Sequence, residues 1–66
     1  MQITINGEAK TLPENSTIAT LIDIFAIDIR KVAIEANLTI IPKSLYAETL
    51  LNEGDAIEIV QFIGGG

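Results

Sequence analysis

Gln2-Ile3-Thr4-Ile5-Asn6-Gly7 alternates polar with β-branched apolar residues and runs into an Asn-Gly pair. Alternation with period two is the pattern of a half-buried strand, one face apolar and one face wet. Asn-Gly is the strongest short hairpin signal, because a type I′ turn needs positive φ at both central positions. The stretch therefore predicts a strand, a tight reversal, and an antiparallel return through Glu8 to Leu12. Pro13 ends that return, having no N–H to give a ladder.

Beyond Pro13, Asn15-Ser16-Thr17 offers three N-cap residue types in succession before Ile18, Leu21, Ile22 and Phe25. The spacing i, i+3, i+4, i+7 is one face of a helix, predicted over Thr17 to Ala26, with Ala19, Thr20 and Asp23 turned outward. Val32, Ile34 and Ala36 alternate with Ala33 and Glu35 as a third strand, and Thr39-Ile40-Ile41 is a short fourth stopped by Pro42. Pro42 to Leu51 lacks a clean period; a turn or short 3₁₀ segment with Leu45 and Leu50 pointing inward is expected there. After the Asn52-Glu53-Gly54-Asp55 turn, Ala56 to Phe62 is the last strand, with Ile57 and Ile59 on one face and Val60 and Phe62 on the other.

The order ββα followed by further strands, with the helix as a right-handed crossover putting later strands parallel to the first, is that of a β-grasp. One apolar sheet face and one apolar helix stripe make a two-layer α+β domain with a mixed sheet of four to five strands. Ile3, Ile5, Ile18, Leu21, Ile22, Phe25, Val32, Ile34, Leu50, Ile57 and Ile59 are its expected core. Residues 1–62 form the domain, and 63–66 a flexible tail.

Composition excludes several function classes. There are 66 residues, no cysteine and no histidine. A disulfide framework is thereby absent, a structural zinc site implausible and a neutral-pH general base hard to find. Nine acidic residues against four basic ones give a net charge of −5, which repels phosphate backbones and disfavours nucleic acid. The longest apolar run is the four residues Ile24 to Ile27, against the roughly 20 a membrane span needs, so a soluble, cytoplasmic monomer is expected.

No side-chain constellation supplies an active site. Ser16 and Ser44 have no histidine to activate them. Glu53 and Asp55 flank a turn glycine, which turn chemistry explains better than a metal or an acid pair. No phosphate-binding Gly-x-x-x-x-Gly-Lys-Ser/Thr loop is present. What stands out is Gln61-Phe62-Ile63-Gly64-Gly65-Gly66, with three of the five glycines at the last three positions. Such a run is either an idle end or a backbone that must enter a place where a side chain cannot follow. It would project the Gly66 α-carboxylate about 10 Å beyond the last packed residue, where another enzyme can grip it.

Arg30-Lys31-Val32-Ala33-Ile34-Glu35-Ala36-Asn37, Ile40-Ile41-Pro42-Lys43-Ser44, Ala47-Glu48-Thr49 and Glu53-Gly54-Asp55-Ala56-Ile57-Glu58-Ile59-Val60, with the terminal glycines, resemble the thiamine-biosynthesis sulfur carrier family, ThiS, of the ubiquitin-like β-grasp proteins. The resemblance covers essentially the whole chain. Leu38 departs from it, standing where a glycine or polar residue often follows the asparagine; Lys43 and Tyr46 stand where arginine and tryptophan are common. The resemblance implies a carrier with no catalytic residues or tightly bound cofactor of its own. Gly66 would be adenylated with MgATP by an E1-like, ThiF-type adenylyltransferase and converted to a thiocarboxylate by a persulfide sulfur donor. The sulfur would then pass to a ThiG-type thiazole synthase. Gly64 and Gly65 would thread the channel, and Val60, Phe62 and Ile63 would dock the partner.

Three other readings fit the same residues. The small subunit of molybdopterin synthase shares fold, tail and activation, but is usually longer and often carries prolines before its glycines. A ubiquitin-like modifier would be joined to lysines of other proteins. A plain interaction module would have an idle tail.

Overall fold

In the computed structural model, which describes residues 1–61, Asn6 and Gly7 take φ of 50° and 83°. That is the type I′ requirement, and it closes β1 (Gln2–Ile5) onto β2 (Glu8–Thr11), antiparallel, with Ile5 opposite Glu8. Asn37 and Leu38, at 51° and 71°, make a second such turn between β3 (Val32–Ala36) and β4 (Thr39–Ile40), with Ala36 opposite Thr39. β5 (Ala56–Gln61) lies in the middle of the sheet, whose order is β2-β1-β5-β3-β4. It runs parallel to β1 and antiparallel to β3. The expectation of later strands parallel to the first is thus corrected for β3. β3 follows the helix but pairs with β5 rather than β1, so the parallel partner of β1 is the strand that arrives last.

Helix α1 (Ile18–Ile24) is shorter than the predicted Thr17 to Ala26. Thr17 is its N-cap: its hydroxyl accepts from the Thr20 N–H, and the Thr20 hydroxyl accepts from the Thr17 N–H, a capping box built with threonine in place of Glu or Gln. At the other end Phe25 is the C-cap and Ala26 turns left-handed at φ 53°, ending the helix without a glycine to announce it.

Ile3, Leu12, Ile18, Leu21, Val32, Ile34, Tyr46, Leu51 and Ile57 form the buried core, with Ile5, Ile22 and Ile59 packed partly buried against it. Three expected inward residues are corrected. Leu50 is 58% exposed and its neighbour Leu51 is buried instead. The backbone decides this: Thr17 and Leu50 form a bridge, and the Leu51 N–H donates to the Ser16 carbonyl, so the extended segment turns Leu51 inward and Leu50 out. Leu45 lies exposed in the 3₁₀ turn Lys43–Leu45, and the next residue, Tyr46, goes in. Phe25, past the last helical residue, is at the domain edge with Lys10 Nζ 5.7 Å from its ring centroid. Among the described residues, no helix is long and apolar enough to cross a membrane.

Candidate functional site

β5 is the element that carries the chain toward the glycines, and its fixing is the local geometry that matters. On one side it pairs with β3 over five positions, from Ala36 opposite Ile57 to Val32 opposite Gln61. On the other, the ladder with β1 ends early, with Ile5 opposite Ile57, because β1 reverses at Asn6. Asn6 compensates. Its N–H donates to the Ile57 carbonyl (2.9 Å), its Oδ1 accepts from the Ile59 N–H (2.8 Å) and its Nδ2 donates to the Ile59 carbonyl (3.3 Å). The side-chain amide thus replaces the strand residue that the turn removes.

Asn37 plays the corresponding part at the start of β5. Its N–H donates to the Ala56 carbonyl (2.8 Å), its Oδ1 accepts from the Ala56 N–H (3.0 Å) and its Nδ2 donates to Asp55 Oδ1 (3.1 Å). Two hairpins, each turning at an asparagine, hold the central strand at two heights. In the sequence Asn6 reads as a turn former and Asn37 as one residue of a resemblance. The available signal was the repetition: both asparagines sit where an alternating apolar strand reverses.

Beside the end of β5 is an open groove of about 450 Å³, lined by Asn6, Phe25, Ile27, Asp28, Lys31, Val32, Ile59 and Gln61. Its rim is braced by Asp28, whose carboxylate accepts from the N–H, Nε and Nη2 of Arg30. Those bonds hold the Asp28 carboxyl down at about 2. Burial raises the Tyr46 hydroxyl above its ordinary value.

Val60 is 49% exposed on the sheet face opposite the helix, across from Ala33. Ile40, also exposed, lies across from Glu35, and Glu35 lies across from Glu58, so this open face is apolar and acidic together. Phe62, Ile63, Gly64, Gly65 and Gly66 lie outside the described residues. Asp55 does turn work, its Oδ2 accepting from the Asn52 N–H, whereas Glu53 Oε1 accepts from the Gln2 N–H and ties the turn to the start of β1. Among the described residues no group of carboxylates is placed to hold a metal ion.

The ThiS family matches residues 3–66. The sulfur carrier protein ThiS of Bacillus subtilis is 38% identical over 63 residues, covering 94% of this chain and 96% of that protein. A thiazole synthase of Paramagnetospirillum magneticum is 48% identical over all 66 residues, and the chain spans only 20% of its length. The crystal structure of a thiamine biosynthesis protein (ThiS) from Geobacter metallireducens superposes with a TM-score of 0.88 at 28% identity, each chain covered completely. The β-grasp expectation is thereby met in fold and in sequence, and the chain belongs to the ThiS family.

Proposed function

We propose that this chain is a sulfur carrier for thiamine thiazole formation, acting through the carboxylate of Gly66. The observation that carries the reading is the match to the ThiS family across residues 3–66, end glycines included, together with the near full-length likeness to the Bacillus subtilis sulfur carrier. The fold supports it: the central strand leads into residues 62–66, five residues with a reach of about 17 Å at most.

The chemistry follows from what a carboxylate lacks. A free carboxylate is a poor electrophile, so an E1-like, ThiF-type adenylyltransferase uses MgATP as co-substrate. A Gly66 carboxylate oxygen attacks the α-phosphorus, pyrophosphate leaves, and an acyl adenylate forms. The terminal sulfur of a protein persulfide attacks the acyl carbon and AMP departs. A second thiol then attacks the inner sulfur of that acyl disulfide, forming a new disulfide with the donor protein and releasing the thiocarboxylate, which a thiazole synthase of ThiG type receives. The occurrence of a similar stretch within a protein named thiazole synthase supports that recipient. Gly64 and Gly65 thread the active-site channel ahead of Gly66. Val60, Phe62 and Ile63 contact the partner from the open sheet face and the tail root. The carrier works as a cytoplasmic monomer between these encounters.

The test is ATP–pyrophosphate exchange by the activating enzyme on the full chain and on a chain lacking Gly66. Removing one residue withdraws the carboxylate by about 3.3 Å. A 1 Å misplacement already costs about 100-fold, so exchange should collapse while the melting curve stays unchanged. Near-normal exchange by the shortened chain would show that Gly66 is not the reactive residue.

A further inference from the structure

The ladder between β1 and β5 stops at Ile57, yet β5 continues to Gln61. Past Ile57, Asn6 gives β5 its hydrogen bonds on the β1 side, through the two bonds to Ile59. It moves the two-sided anchorage of the strand two residues nearer the tail, about 7 Å of chain at 3.3–3.4 Å per residue. Asn37 makes a chemically similar grip at Ala56, at the end of the strand remote from the tail.

We infer that Asn6 is a positioning residue for the tail: its side-chain amide fixes the direction in which the chain leaves the sheet and so where the reactive carboxylate arrives. The inference rests on the carrier reading above. Without the amide, residues 58–61 are paired to β3 alone, and the root of the tail gains freedom that must be lost again each time the carboxylate is placed against ATP. The fold itself has less need of this contact. Asn6 is exposed, its backbone turn requires only positive φ, and glycine supplies that as well.

Asn6→Gly keeps the turn and removes the amide, and Asn37→Gly does the same at the far end of β5. ATP–pyrophosphate exchange on each, resolved into kcat and KM, separates tail placement from sheet stability. Asn6→Gly should lower kcat about 10- to 100-fold and shift KM by less than about 2-fold. Asn37→Gly, with a comparable loss of melting temperature, should leave kcat near that of the parent chain. Asn6→Asp keeps an oxygen to accept from the Ile59 N–H and loses the donor, so its kcat should fall between parent and glycine variant; it also serves should the glycine variant unfold. Hydrogen exchange at the Ile59 amide reports the lost grip directly. Faster Ile59 exchange with an unchanged kcat would overturn the inference, as would equal kcat losses in Asn6→Gly and Asn37→Gly. A parent chain inactive in the assay would instead overturn the carrier reading, and the inference with it.

Discussion

Leu38 is the residue whose replacement should improve this protein. It is 88% exposed and holds φ at 71°, so a large side chain sits in the left-handed region with almost nothing to pack against. An L-residue with a Cβ is strained there by about 1–2 kcal/mol. Leu38→Gly removes that strain. The counterweight is the added freedom of glycine in the unfolded chain, about 0.4–1 kcal/mol. Little apolar burial is lost at such exposure. The mid-range difference is a stabilisation of about 0.8 kcal/mol, and at roughly 4–8 °C per kcal/mol for a domain of this size the melting temperature should rise by about 3–6 °C. Calorimetry or a far-ultraviolet melt on parent and variant reads this directly, with urea midpoints as a second measure. A melting temperature unchanged or lowered would mean that the Leu38 side chain is stabilised by something other than the geometry of this turn.

Two further outcomes concern core and surface. Ile57 is 1% exposed on the central strand, so Ile57→Ala should cost about 2–5 kcal/mol and unfold much of so small a domain; a urea midpoint close to that of the parent would contradict the register. Val60→Asp, on the open face, should leave the melting curve alone and weaken binding to the activating enzyme; unchanged affinity in a titration would remove Val60 from the docking surface.

The hairpin and the helix start were legible because single residues dictate them. Asn-Gly at 6–7 has few other uses between alternating strands, and Thr17 caps the first residue of the apolar stripe. The helix end was not, since Ala26 takes positive φ with no residue type to mark it. Neither was the choice between Leu50 and Leu51, nor between Leu45 and Tyr46. In irregular backbone no period selects a face, and here the bridge from Thr17 to Leu50 does so. The site was legible only in part. The glycine run stands out in the sequence by itself, but the grip of Asn6 on Ile59 joins residues 53 apart and depends on β5 lying between β1 and β3.

The proposed function depends above all on sulfur being carried on Gly66. Intact-mass analysis of the protein recovered from cells making thiamine, followed by fragmentation of its last peptide, tests it most directly. The expected result is a population in which one oxygen is replaced by sulfur, with the exchange confined to Gly66 and lost when the activating enzyme is deleted. A chain that never carries the exchange under thiamine starvation, or sulfur found on any other residue, would contradict it.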